Sequence, residues 1–187
     1  PIDPYGIAKY AVEMDIMQAG EQFGLLYNIV RPHNVLGIYQ NIWDKYRNVI
    51  GIFIKKALNG EPIFVYGDGE QTRAFSDIQY YMEPFEKLIS EHNGEIFNIG
   101  ADKYFTINQV ADIVKNIAKE KLGKDVIIEH KEPRHEVKHA YSDHKKAKKL
   151  LDFKDDTDLY TLIDNMFTWA IEQPNRETKL MDYEISE

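Results

Sequence analysis

Apolar residues recur along the chain in two rhythms, one helical and one extended, and the switches between them fall at Gly, Pro, Asn and Asp. Residues 4–22 predict a helix. Asp3 is a good N-cap, and Pro4 takes the first helical position, where a missing N–H costs nothing. The apolar residues of this helix (Ile7, Ala8, Ala11, Val12, Met14, Ile16, Met17, Ala19) cover more than one stripe. Two faces are therefore expected to be buried, one against its own domain and one against a partner helix. Residues 25–30 form a short, β-rich apolar run, as in a buried parallel strand, and end in the loop-forming Arg31-Pro32-His33-Asn34-Val35-Leu36-Gly37.

Residues 40–48 are aromatic and polar without a period and read as a loop facing a ligand or a neighbour. A helix over 49–58 stops at Asn59-Gly60, and a strand follows at 62–66. Gly67-Asp68-Gly69 is a tight turn. Its two glycines around Asp invite a phosphate-cradle reading, but between extended segments (62–66 and 71–78) the pattern is that of a hairpin. Next come a helix over 80–91, a strand over 95–99 stopped by Gly100, and a helix capped by Thr106 that runs to about Leu122. A strand at 126–129, a polar stretch at 132–139, a short Lys-rich helix from Asp143 to Leu151 and an amphipathic helix at 159–171 complete the chain. Helices alternate with strands throughout, the mark of an α/β fold, with no internal repeat and no low-complexity linker.

Composition narrows the functional classes. The chain has 187 residues, 43% hydrophobic and 29% charged, enough for one domain with a real core or a little more. It has no cysteine, which removes disulfides, thiolate metal sites and Cys nucleophiles and fits a reducing cytoplasm. No apolar run approaches the ~18 residues of a membrane-spanning helix. The formal charge of −8 argues against a nucleic-acid partner. Of 23 basic residues just five are arginines (Arg31, Arg47, Arg73, Arg134, Arg176). Arginine suits bidentate phosphate recognition, so their positions carry information. The first residue is Pro rather than Met, which is expected of a fragment, a processed product or a chain seen only in part.

The candidate chemistry starts at Tyr5 and Lys9, four residues apart and so on one face of the first helix. An ammonium beside a phenol favours phenolate, the form a general base needs. The same spacing occurs at Tyr141 and Lys145, but the first pair opens a capped helix ahead of an apolar strand that ends in Arg-Pro-x-Asn. The histidines 130, 135, 139 and 144 lack a metal-site pattern, and no metal is expected. The run Lys145, Lys146, Lys148, Lys149 reads as a solvated helix face.

Five segments in order resemble an extended short-chain dehydrogenase/reductase of the nucleotide-sugar epimerase/dehydratase group (UDP-glucose 4-epimerase-like), in its C-terminal portion. Pro4-Tyr5-Gly6-Ile7-Ala8-Lys9 resembles that group's Pro-Tyr-Gly-x-x-Lys, and Arg31 to Gly37 its Arg-x-x-Asn-x-x-Gly. Tyr66-Gly67-Asp68-Gly69-Glu70-Gln71-Thr72-Arg73-Ala74-Phe75 is similar to its Tyr-Gly-Asp-Gly-x-Gln-x-Arg-x-Phe, and Phe97-Asn98-Ile99-Gly100 to its Tyr/Phe-Asn-Ile-Gly. Pro133-Arg134-His135-Glu136-Val137, followed by Asp143 and Lys146-Ala147, resembles its Arg-x-Gly-Glu/Asp-Val and Asp-x-x-Lys-Ala.

The resemblance implies a fold, a reaction and a site. The fold would be the C-terminal part of a Rossmann-like parallel sheet interleaved with a smaller α/β substrate-binding domain. Residues 1–34 would end the Rossmann domain and 35–187 would be mainly substrate-binding, with about 74–100 returning to the Rossmann domain. The reaction would be an NAD-dependent nucleotide-sugar 4-epimerisation with Tyr5 as acid/base and Lys9 on the cofactor ribose. A 4,6-dehydratase, or a non-catalytic nucleotide-sugar-binding or dimerising remnant, are the alternatives. Asn34, Arg73 and Arg134 would hold the nucleotide sugar, a UDP-sugar, and the first helix would pair two copies in a homodimer. Two departures stand out: Gln79 and Tyr80 replace acidic residues usual in the group, and His135 replaces a small one. The sequence has no Gly-x-x-Gly-x-x-Gly turn for a dinucleotide, so NAD would be bound mainly by a preceding segment, and the chain by itself is expected not to turn over.

Overall fold

The computed structural model describes residues 4–43, 48–134 and 137–174. Asp3, the expected helix cap, His135 and Glu136 lie outside the described residues. So do residues 44–47 of the segment expected to face a ligand.

Helix α1 (Pro4–Phe23) forms where the sequence predicts it, but none of its residues is buried among the described ones. Ile7, Tyr10, Val12 and Met14 are each more than half exposed, so the described residues of this chain leave those side chains open. What holds α1 is polar. Glu13 takes a two-pronged hydrogen bond from Arg31 on strand β1 (Asn28–Pro32). The ring of Tyr27 also packs so closely on Gly20 that a Cβ there would sit 2.5 Å from it.

Strand β1 starts three residues later than the apolar run, because Leu25 and Leu26 form an exposed connection. Its partner is the parallel strand β6 (Glu95–Ile99), in the register Ile29↔Ile96 and Pro32↔Ile99. His33 N–H extends this ladder to the Ile99 carbonyl at 3.0 Å. The short strand β2 (Val35–Leu36) then pairs in parallel with β5 (Ser76–Asp77). Between β6 and β5, a 3-10 turn (Ile78–Tyr81) leads into α3 (Met82–Glu91). The predicted helix over 80–91 is thus two pieces, and the Asp77 carboxylate accepts from Gln79 N–H at the start of the first.

Helix α2 (Val49–Asn59) carries its cap on Asn48 and ends at Gly60 in the left-handed region (φ 72°), which a residue without a Cβ adopts without strain. Strand β3 (Ile63–Tyr66) pairs in parallel with β8 (Ile128–Lys131), and β4 (Thr72–Ala74) pairs antiparallel with β7 (Tyr104–Thr106). Gly67-Asp68-Gly69 is therefore a turn but not a hairpin, because the strands on its two sides pair with other strands. Helix α4 (Ile107–Leu122) opens with a capping box between Thr106 and Gln109 and closes at Gly123. Strand β8 lies two residues beyond the predicted 126–129, since pairing Ile63 with Ile128 fixes its register. Helix α5 (Lys145–Leu150) starts beside Asp143, whose carboxylate accepts from Lys145 N–H at 2.8 Å, and α6 (Leu159–Ile171) follows.

The apolar side chains gather in two clusters. The larger packs α2, α4 and α6 around β3, with Phe53, Ile54, Ile63, Val65, Val114, Ile117 and Phe167 at most 2% exposed. The smaller surrounds β6 with Tyr81, Leu88, Phe97, Ile99, Ala147, Leu151 and Phe153. The lysines of α5 are not all solvated: Lys146 reaches Glu95 and lies over the Phe97 ring, and Lys148 pairs with Asp102. Among the described residues, no helix is long and apolar enough to cross a membrane.

Candidate functional site

Tyr5 and Lys9 occupy successive turns of α1, with Lys9 Nζ 5.7 Å from the centroid of the Tyr5 ring. Both are exposed, and Tyr5 keeps 74% of its surface. The second Tyr-x-x-x-Lys match differs. Tyr141 lies in an irregular segment and Lys145 begins α5, so those two share no helix face.

The middle of α1 is fixed to β1 by the Glu13–Arg31 pair, where Arg31 Nε donates to Glu13 Oε1 at 2.8 Å. This hydrogen bond holds the Glu13 carboxyl below its ordinary range and outweighs the opposing effect of burial. Arg31, placed inside a matched motif by sequence, is thereby a structural arginine.

Asn34 follows β1 in the left-handed region (φ 42°), a conformation Asn tolerates better than most side chains. Its Nδ2 donates to the Ala74 carbonyl at 2.8 Å, and Ser76 donates from N to the Asn34 carbonyl and from Oγ to the His33 carbonyl. The loop carrying Asn34 is thus stitched to the strand carrying Arg73. Arg73 is half-buried, and its Nη1 donates to the carbonyls of Thr72 (2.8 Å) and Lys138 (3.3 Å). The Lys138 segment lies beside β4 through Thr72 N–H to Lys138 O (3.0 Å) and a Thr72 Oγ1–His139 Nδ1 hydrogen bond (2.9 Å).

Arg134 follows β8, and its guanidinium carbon lies 3.4 Å from the Tyr66 ring centroid. The turn after β3 makes room for this stack. Gly67 has φ 72°, its N–H donates to the Lys131 carbonyl, and Pro133 sits 3.4 Å from where a Cβ at position 67 would be. Asn34 and Arg73 are therefore joined through Ala74, while Arg73 and Arg134 flank one turn and one crossing segment. Tyr5 and Lys9 stand on a separate element, connected to these residues by way of β1.

Sequence reasoning missed the group packed behind Asn34. His144 is buried, with Nδ1 3.0 Å from Asp102 Oδ1 and Nε2 2.6 Å from Ser142 Oγ. His33 lies edge-on to it with ring centroids 6.3 Å apart, and no partner among the described residues reaches the buried His33 Nδ1. Burial pushes the His33 imidazole below its ordinary pKa, and His144 and Arg73 add to the shift. Burial opposes ionisation of Asp102, yet hydrogen bonds from Lys148 and His144 hold its carboxyl below the usual range. The signal for this cluster was Gly100 alone, where a Cβ would meet His33 Cβ at 2.6 Å.

The parallel strand pairs and the interleaved helices define a mixed α/β protein of Rossmann-like kind, with a superposable solved relative. Within that class, the chain belongs to the NAD dependent epimerase/dehydratase family, whose sequence profile matches residues 1–100. It is 34% identical over 170 residues to a Methanocaldococcus jannaschii protein whose name, UDP-glucose 4-epimerase, is provisional. That match covers 90% of this chain and 53% of the relative. It is 31% identical over 123 residues to GDP-mannose 3,5-epimerase of Arabidopsis thaliana, covering 65% of this chain and 33% of that one. The crystal structure of UDP-glucose 4-epimerase with UDP-glucose from Thermotoga maritima superposes with a TM-score of 0.81 at 30% identity. It covers 91% of this chain and 54% of that chain. The chain spans about half the length of the UDP-glucose 4-epimerase relatives it matches.

Proposed function

We propose that this chain is the C-terminal part of an NAD-dependent nucleotide-sugar 4-epimerase acting on a UDP-sugar. The observation that carries the reading is the placement of Lys9 beside the Tyr5 ring on one exposed helix face within the matched family region. Tyr5 and Lys9 suit a dinucleotide: a phenol and an ammonium side by side offer an acid/base oxygen and donors for ribose hydroxyls. NAD, when bound, supplies the hydride acceptor for oxidation at sugar C4. The phenolic oxygen of Tyr5 takes the proton of the sugar 4-hydroxyl in that oxidation and returns it once the opposite face of the sugar has been reduced. Arg73 and Arg134 offset the charge of the diphosphate, and Asn34 would contact the nucleotide sugar.

The exposed apolar surface of α1 supports two further parts of the reading. One face would take the dinucleotide-binding portion, and the other the α1 of a second copy, in a homodimer. In a protein carrying this chain behind a dinucleotide-binding segment, Tyr5→Phe is expected to abolish epimerisation with the Tm nearly unchanged, since Tyr5 is exposed. Turnover retained by that variant would remove Tyr5 from the mechanism.

A further inference from the structure

Strand β3 alternates strictly. Ile63 and Val65 face the core, fully buried, while Phe64 and Tyr66 project to the other side. That outer side is a rail of two aromatic rings, and three cations lie on it. Lys56 Nζ and Lys131 Nζ sit 4.2 and 4.5 Å from the Phe64 centroid, and the Arg134 guanidinium sits 3.4 Å from that of Tyr66.

The three cations differ in one respect. Lys56 is paired with Glu61, and Lys131 with Glu129. Arg31, likewise, is held by Glu13. Among the described residues, no carboxylate or carbonyl accepts from Arg134. The ring beneath it holds the guanidinium 3.4 Å from its centroid, and no described group takes its N–H edge. An exposed arginine on a flexible stem loses much rotamer freedom when it grips a ligand, and a stacked one has already lost part of it. A flat guanidinium fork offers paired donors to two phosphate oxygens at once, and a diphosphate presents more charge and more such oxygens than a monophosphate.

The geometry points to Tyr66 as a positioning residue: its ring presents the Arg134 guanidinium edge-on to the diphosphate of a nucleoside diphosphate. This rests on the diphosphate role of Arg134 proposed above. Tyr66 touches no reacting atom and acts through Arg134. Its neighbour on the rail, Phe64, carries cations already neutralised within the chain and serves as the internal control.

The test is calorimetric titration of this chain with UDP and with UMP, using Tyr66→Leu, Tyr66→Phe, Phe64→Leu and Arg134→Ala. Loss of an exposed cation–aromatic stack is expected to weaken UDP binding roughly two- to fivefold in Tyr66→Leu. UMP should change less, so the UDP/UMP affinity ratio falls, an effect that general loosening of the fold does not produce. Tyr66→Phe should restore the wild-type ratio, and Phe64→Leu should leave it unchanged. If Tyr66→Leu fails to fold by circular dichroism, Arg134→Lys removes the planar fork from the other side and should lower the same ratio. Wild-type ratios in Tyr66→Leu or Arg134→Lys, with Arg134→Ala still impaired for UDP, would overturn the positioning role and leave the diphosphate reading standing. Unchanged UDP binding in Arg134→Ala would overturn both.

Discussion

Glu13 and Arg31 join the first helix to the first strand by a two-pronged ion pair across eighteen positions of sequence. It is the polar fastening of a helix with no buried residue among the described ones. The folded-state pKa of Glu13 lies below its unfolded value, so the pair's contribution is present above about pH 4.3 and disappears as pH falls through the folded pKa. Glu13→Gln is expected to cost about 0.5–1 kcal/mol at pH 7 and little at pH 3. Urea unfolding at both pH values measures the difference, and an equal loss at both would contradict the ion-pair assignment.

His33 gives acid sensitivity of the same sign from a different cause. Burial first, then His144 and Arg73, disfavour its charged form, so its pKa is lower folded than unfolded. The unfolded chain binds the extra proton, and stability held above about pH 6.5 falls as the pH drops below that value. His33→Phe keeps a ring of similar size and has nothing to protonate. Its Tm is expected to decline less than that of wild type between pH 7 and pH 5, as read by circular dichroism melting at both values.

Gly100 is a packing requirement rather than a conformational one. A methyl group there would meet His33 Cβ at 2.6 Å and His144 Nε2 at 3.3 Å. Gly100→Ala is expected to destabilise the chain by about 1–3 kcal/mol through overpacking. Chemical denaturation measures it, and a neutral result would show that the His33–His144 cluster yields.

The exposed side chains of α1 make a prediction about assembly. Val12 and Met14 each keep 55% of their surface. If a second copy covers one face, Val12→Asp with Met14→Glu should shift the chain from dimer to monomer in sedimentation equilibrium. A wild-type chain that sediments as a monomer at tens of micromolar would remove the homodimer.

Much of this architecture is legible in the sequence, and the exceptions share a cause. The bounds of α1 and the Thr106 cap of α4 follow from local spacing, and so does the shared face of Tyr5 and Lys9. The hairpin expected at Gly67–Gly69 fails because turn chemistry announces a reversal but not the partner of each strand. β3 finds its partner more than sixty residues away, in β8. The same register decides that Arg134 lands on Tyr66, and the same kind of long-range closure brings Asp102 to His144. Neither contact has a local signature. What covers the apolar faces of α1 has no local signature either: helical periodicity shows which residues are apolar, not what lies against them.

The proposed diphosphate site is testable on this chain alone, because the two arginines assigned to it, Arg73 and Arg134, are both on this chain. Isothermal titration with UDP is the most direct measurement. Saturable one-to-one binding is expected, weakened roughly ten- to a hundredfold by Arg73→Ala, as for loss of hydrogen bonds to a charged group. Heats no different from dilution, in a chain whose circular dichroism shows it folded, would contradict the assignment of a nucleotide-sugar site to these residues.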